Sequence, residues 1–322
     1  MMKRFFSLLC VLVLALTSLA LAEGGEAAGA EVEDITLEDE TESTVIFPLP
    51  VDFTPGHVAP EENYDGMVYD DASITVRMEQ TVTDVATYNI ARITIADPSQ
   101  LRTAVAVPRH RTVLALANSV NAIVATGGDY FDSDEGGYIV RQTEVMQKRK
   151  KPYDTRDLLC IDENGDFHIL LRKRDAKKNG KSKSINAEFT DQLKALVEAH
   201  TLVNVFEWGP ALVIDGVQQD APASYSGNLN GLEPRCAIGQ TGRLEYVMVV
   251  VDAKERNGKY GASFDDLAQL MFELGCIQAY NLDGGGSASM CFHGDYFSDK
   301  SERGVSDIIY FATAIDSGLD EQ

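Results

Sequence analysis

Apolar and polar residues change rhythm several times along this chain, and each rhythm predicts an element. Residues 74–78 (Ile-Thr-Val-Arg-Met) alternate apolar with polar, as do residues 93–95 after the apolar-rich 88–90. A period of two in β-branched residues predicts strands at both places. Residues 111–119 put Val113, Leu114 and Ala117 on one helical face, and the apolar run 122–125 behind them reads as a strand. Residues 187–199 space Phe189, Leu193, Leu196 and Val197 for one face of a helix. The clearest helix is 264–274. Ser263 stands at its N-cap with Asp266 three residues on, Leu267, Leu270, Met271 and Leu274 form its stripe, and Gly275 takes the C′ position. The apolar runs 244–251 and 276–282 flank it as buried strands, and 162–166 (Asp-Glu-Asn-Gly-Asp) reads as a turn between strands. That strand-helix-strand unit is locally α/β. The strand-rich N-terminal half makes the whole an α+β fold, with mixed, strand-rich sheets and a few packed helices in a single globular domain.

The first 60 residues break these rhythms. Lys3 and Arg4 precede an apolar run from Phe5 to Leu21 that ends in Ala20-Leu21-Ala22. This is the pattern of an export leader over residues 1–22: basic start, apolar middle, small-x-small cleavage site. The run approaches the length of a membrane anchor, but the cleavage site and the polar sequence after it favour removal. Residues 23–44 carry nine acidic side chains and no basic one. Such a composition cannot bury enough surface to order itself, so 23–60 is expected as an acidic disordered linker and 61–322 as the domain. The expected product is secreted, or held at the cell surface or in the periplasm, with no membrane span once the leader is gone.

Charge and cysteines narrow the partners. The formal net charge is −22, and loss of Lys3 and Arg4 makes it two units more negative. That balance argues against nucleic acid. Residues 141–183 are locally basic, in two turns at 148–151 and 172–183. Charge runs of this kind usually solvate loops; the competing reading is a surface for an anionic polymer. Without Cys10, the cysteines are Cys160, Cys236, Cys276 and Cys291, too few for a disulfide scaffold, so a packed core must carry the fold. If the chain reversed as a hairpin at Asp283-Gly284, Cys276 and Cys291 would face each other, either as a strained cross-strand disulfide or, the favoured reading, as two buried thiols.

The chemistry-bearing residues sit at strand ends. After the run 276–282, which contains Asn281, come Asp283-Gly284-Gly285-Gly286-Ser287. Three glycines at a strand end let backbone N–H groups converge on an anion without Cβ obstruction, with Asp283 as a carboxylate on the rim. A second cluster, Gly127-Gly128-Asp129-Tyr130-Phe131-Asp132, also follows an apolar strand, so two Gly-Asp strand ends can converge on one cleft. Arg235 is the candidate for a fixed phosphate fork, with a surface salt bridge as its bland alternative. His57, His110, His168, His200 and His293 show no zinc spacing, and neither a serine-hydrolase elbow nor a phosphate-binding Gly-Lys-Ser/Thr loop is present. No metal or other cofactor is expected. A weaker reading has Asp129, Asp132 and Asp283 holding a hard cation for a metal-dependent phosphodiesterase.

Residues 281–287, with the helix and Gly275 before them, resemble the phosphodiester glycosidase family. Further blocks match it in order: Gly128-Asp129-Tyr130-Phe131, 209–213 with Asp215-Gly216, Arg235 with 237–239, 250–252, and Arg303 with Val305-Ser306. The resemblance covers roughly residues 80–315. One departure is that relatives often carry Asn before the Gly-Asp pair, where this chain has Gly127. The resemblance implies a hydrolase that detaches a sugar, such as N-acetylglucosamine, from a sugar-phosphate diester or from a cell-wall or exopolysaccharide glycan phosphodiester. Because the departing phosphate monoester needs little protonation, one carboxylate suffices. Asp283 or Asp129 would act on the sugar. Arg235 and the N–H groups of Gly284, Gly285 and Gly286 would hold the phosphate, with Gly128, Tyr130, Asn281, Ser287 and Arg303 binding substrate around them. The alternative from another class is a non-catalytic module that binds an anionic cell-surface polysaccharide.

Overall fold

The structure is a computed structural model that describes residues 46, 48–131, 137–148, 156–172, 187–222, 231–252 and 260–320. The expected leader, residues 23–44 and Asp132 lie outside the described residues, as do the two basic turns apart from Lys148 and Arg172.

In chain order the strands are β1 (Tyr64–Asp65), β2 (Val68–Asp70), β3 (Ile74–Val82), β4 (Thr87–Ile95), β5 (Leu101–Val105) and β6 (Val124–Gly127). Then come β7 (Tyr138–Arg141), β8 (Glu144–Lys148), β9 (Leu158–Asp162), β10 (Phe167–Leu170), β11 (Leu202–Phe206), β12 (Ala211–Ile214) and β13 (Val217–Gln218). The last are β14 (Arg235–Gly242), β15 (Glu245–Asp252), β16 (Gln278–Leu282), β17 (Met290–Phe292), β18 (Asp295–Tyr296) and β19 (Asp307–Phe311). The helices are α1 (Val113–Ser119), α2 (Ala187–Ala199) and α3 (Phe264–Glu273). This is the strand-rich α+β arrangement that the patterning predicts.

The strands form three sheets: a nine-stranded first sheet ordered β1-β2-β3-β4-β15-β14-β16-β12-β13, a five-stranded second sheet β10-β9-β11-β7-β8, and a five-stranded third sheet β18-β17-β6-β19-β5. Their inner faces share one core. Val76, Met248, Val250 and Tyr280 of the first sheet meet Leu159 and Phe206 of the second and Val124, Met290 and Phe311 of the third. Each outer face is covered by one helix. α3 lays Phe264, Leu267 and Met271 on Val247 and Val249, α1 lays Val113 and Leu116 on Ile308 and Tyr310, and α2 lays Phe189 on Val140 and Cys160. This explains why β15 reads as an unbroken apolar run: both of its faces are buried. Each such side chain contributes about 1.5–3 kcal/mol by leaving water. The ends of α3 are those its sequence predicts, a Ser263–Asp266 capping box and Gly275 at φ +85°.

Two expectations change. Residues 48–60 pack on the domain. Leu49 enters the core under α1, and the fully buried Arg102 donates to the carbonyls of Pro50, Asp52 and Thr54. A buried guanidinium needs acceptors, and this stretch of backbone supplies them. The hairpin at Asp283-Gly284 does not form, because β16 already has β14 and β12 on its two edges. β17 instead pairs with β6 and β18 in the third sheet. Cys276 lies beneath α3 and Cys291 beneath α1, so no clamp joins them, and all four described cysteines are buried free thiols.

Candidate active site

The two Gly-Asp strand ends meet although they belong to different sheets. β6 ends at Gly127 and β16 at Leu282, and the Asp283 N–H donates to the Gly128 carbonyl at 2.9 Å. Antiparallel neighbours bring two strand beginnings to the same place. Cys236 of β14 pairs with Leu282 and Ile308 of β19 with Gly127, which sets Arg235 and Asp307 beside the two aspartates. The crowding explains the glycines. A Cβ on Gly128 would lie 2.5 Å from Asp307 Oδ1, and one on Gly284 would lie 2.7 Å from the Pro234 carbonyl.

Asp283 is buried, and burial raises its pKa above the usual carboxylate range. The Ser287 hydroxyl and the Arg303 charge pull the other way, while the nearby Asp129 adds to the rise. Asn281, two residues back along β16, donates to the Gly209 carbonyl at 2.7 Å. Its Oδ1 and the Ser289 hydroxyl are buried with no hydrogen-bond partner among the described residues.

In front of this carboxylate lie a cation and an aromatic wall. The exposed Arg303 runs past Gly286, where a Cβ would meet its Cδ at 3.1 Å, and its guanidinium lies 5.8 Å from the Tyr130 ring centre. Tyr130 packs edge-on to Trp208 at 5.8 Å, and Arg156 covers the Trp208 ring at 4.5 Å. A cleft of about 480 Å³ opens beside the glycine turn, lined by Pro234, Gly285, Gly286, Ala288, Lys300, Ser301 and Arg303 and by the carboxylates of Glu233, Asp252 and Glu302.

Arg235 and Asp129 have different surroundings from Arg303 and Asp283. Arg235 donates from Nε to the Ala262 carbonyl (3.1 Å) and from Nη2 to the Gly231 carbonyl (3.0 Å), so much of the fork that was expected to hold phosphate instead ties down two loops. Burial lowers its pKa. Asp129 accepts from Arg141 Nη2 (3.0 Å), the Glu207 N–H (2.8 Å) and the Trp208 N–H (2.9 Å). With both oxygens held by N–H donors and the side chain buried, it is a poor nucleophile and a poor cation ligand.

The partners of Asp129 are the residues that sequence reasoning missed. Arg141 is fully buried and also donates to Asp307 Oδ2 and to the Val140 and Val205 carbonyls, with the Phe206 ring 3.8 Å beneath it. Asp307 Oδ1 in turn accepts the Asp129 N–H at 2.8 Å. Burial pushes Asp307 up while Arg141 pulls it down. Glu207 accepts the Tyr138 N–H at 2.8 Å. Its burial, opposed by Arg172, pushes it up to about 7. Trp208 carried the one available signal, as the sole tryptophan of the chain, directly before Gly209-Pro210.

The sequence profile of the phosphodiester glycosidase family matches residues 118–312 of this chain. The SPbeta prophage-derived uncharacterized protein YomE of Bacillus subtilis strain 168 is 36% identical over 109 residues, a match spanning 33% of this chain and 17% of that protein. Among solved structures, the catalytic domain of zebrafish N-acetylglucosamine-1-phosphodiester alpha-N-acetylglucosaminidase, auto-inhibited by its pro-peptide, aligns with a TM-score of 0.54 at 14% identity over 80% of this chain and 87% of that one. A hypothetical protein from Synechocystis aligns with a TM-score of 0.53 at 16% identity over 74% of this chain and 62% of that one. At such identities the likeness is one of fold.

Proposed function

This chain belongs to the phosphodiester glycosidase family, and from that premise we propose that it hydrolyses the bond between an anomeric carbon and a phosphate oxygen in a sugar-phosphate diester. The family supports a glycosidase-type hydrolase; the residue roles and the substrate are our reading. The observation that carries it is the placement of one buried carboxylate, Asp283, behind a glycine turn whose other side bears the exposed Arg303 beside Tyr130.

Such a diester needs charge stabilised at two points. As the C1–O bond breaks, positive charge grows on the sugar ring and negative charge on the departing phosphate monoester. Asp283 faces the first charge, as nucleophile at C1 or as base on the attacking water. Burial raises its pKa, which makes the carboxylate a stronger base. Arg303 and the Gly286 N–H face the second, the Gly285 N–H being committed to the Pro234 carbonyl at 2.8 Å. Tyr130 and Trp208 offer rings for the apolar face of a sugar, and the unpartnered Asn281 Oδ1 is left to accept a sugar hydroxyl. Asp129, held by Arg141, positions the Tyr130 loop rather than touching the reacting atoms. N-acetylglucosamine and glycan phosphodiesters of a cell wall or exopolysaccharide are the substrates to try first. Export is part of the proposal and rests on the leader pattern of residues 1–22. Among the described residues no helix is long and apolar enough to cross a membrane.

The test is hydrolysis of a glycosyl phosphodiester panel in ¹⁸O water. The expected products are a reducing sugar carrying the label at C1 and an unlabelled phosphate monoester. Label in the phosphate would mean attack at phosphorus and overturn the reading. Binding of the panel with no turnover would turn it into that of a polysaccharide-binding module.

A further inference from the structure

His168 and His200 are far apart in sequence and carry no zinc-type spacing, yet the fold aims both at one carboxylate oxygen. Asp162 closes β9, His168 lies on β10 paired with Cys160, and His200 follows α2, its N–H bound to the Leu196 carbonyl. His168 Nε2 lies 3.0 Å from Asp162 Oδ2, and His200 Nδ1 lies 3.1 Å from that same atom. The other oxygen of Asp162 is committed, since Oδ1 accepts the N–H groups of Asn164 and Asp166 at 2.8 and 3.0 Å. The turn therefore fixes the carboxylate with its second oxygen turned to the two rings. Glu163 adds a fourth group: Thr201 N–H holds its Oε2 at 2.8 Å, and its Oε1 lies 3.6 Å from His200 Nδ1.

From this geometry we infer that Asp162, His168 and His200, with Glu163 or water as the fourth ligand, form a binding site for a divalent transition-metal ion of the zinc type. Ligands held about 2.0–2.1 Å from a tetrahedral zinc are separated from one another by about 3.3 Å. The two nitrogen-to-oxygen distances and the Glu163 approach lie close to that spacing, and the three ligand atoms all fall within 4.8 Å of one another. Two imidazoles and a carboxylate suit zinc better than magnesium or calcium, which prefer all-oxygen shells. The turn N–H groups on Asp162 and the Thr201 N–H on Glu163 supply the outer shell that orients metal ligands. A cavity of about 210 Å³ touches Asp162, Glu163 and Thr201 but neither histidine, so the way in for the ion is past the two partly exposed rings. His168 and His200 are each about a third exposed, at 30% and 31%. The site joins the β9–β10 turn to the chain leaving α2 and shares no residue with the glycine-turn cleft, so its effect is to clip the second sheet to its covering helix.

Full-length protein, stripped with a chelator and dialysed, is titrated with Zn²⁺ alone by calorimetry and by thermal denaturation. The expected result is one ion per chain and a melting temperature several degrees higher with metal, with the affinity falling more than about 100-fold in His168→Ala and in His200→Ala. X-ray absorption of the zinc-loaded wild-type protein needs no variant, and should show two imidazole nitrogens with oxygen ligands and no sulfur. Absence of binding, unchanged binding in both variants, or a shell of thiolate or water alone would overturn the site.

Discussion

Asp129 and Asp283 stand at the ends of strands in two sheets, each beside a glycine, yet their surroundings are opposite. Asp129 accepts three N–H groups and has the buried Arg141 as counter-charge. That is how a fold keeps a buried charge: paired, hydrogen-bonded and immobile. Asp283 has a pKa raised by burial, an exposed arginine in front and an unpartnered Asn281 oxygen nearby. Buried polar groups left unsatisfied are costly to a fold and useful to a ligand that completes them. On the proposed reading one aspartate belongs to the scaffold and the other to the site, although their sequence contexts are almost the same.

Exchanging the two carboxylates for amides breaks that comparison most directly. Asp283→Asn is expected to lower kcat/KM by at least about 10³-fold while leaving urea stability unchanged or slightly higher, because the variant no longer buries a charge. Asp129→Asn is expected to do the reverse. It places an amide NH₂ among N–H donors and takes from Arg141 one of its two carboxylates, leaving Asp307 as the other, at a cost of about 1–3 kcal/mol in unfolding free energy, with the folded fraction keeping activity within about tenfold. Kinetics and urea melts on both proteins check this. A stable, inactive Asp129→Asn variant would exchange the two roles.

The same contrast applies to the arginines. Arg303→Lys keeps the charge but loses the planar fork, and is expected to cost about 10- to 100-fold on a phosphodiester and far less on an aryl glycoside without phosphate. Arg235 holds the Ala262 and Gly231 carbonyls, so Arg235→Lys should affect both substrates alike, through loosened loops. Paired kinetics on the two substrates separate these outcomes. A selective loss in Arg235→Lys with none in Arg303→Lys would return the phosphate to Arg235.

What the sequence disclosed was local. Ser263, Asp266 and Gly275 mark α3 because caps act within a few residues, and the unbroken run of β15 reports burial on both faces. The convergence of the two Gly-Asp ends was also legible, since both follow apolar strands. What it did not disclose depends on partners distant along the chain. The saturation of Asp129 comes from Arg141, which reads in sequence as one more member of a basic stretch, and from the backbone of 207–208. The reversal at Asp283 looks like a hairpin until β12 and β14 are found on both edges of β16. His168 and His200 meet because α2 ends above the β9–β10 turn, and no residue spacing encodes that approach.

Glu207 sharpens the comparison from a third position, next to Asp129 but without its full set of donors. Burial, only partly offset by Arg172 and the Tyr138 N–H, raises its pKa from 4.5 to about 7. A carboxyl whose folded pKa lies above its unfolded value is held preferentially in the protonated form by the fold. Its stabilising contribution is therefore complete below about pH 4.5 and is lost as pH rises through about 7. Glu207→Gln is neutral throughout and retains an acceptor for the Tyr138 N–H, so it escapes that loss. It does leave Arg172 without a carboxylate 3.6 Å away, which takes back part of the gain at high pH. The variant should thus gain on the wild type by on the order of 1 kcal/mol between pH 5 and pH 8, measured by urea unfolding of both proteins at each pH. A difference that stays flat across that range would mean that Glu207 ionises in the folded protein as it does in the unfolded chain.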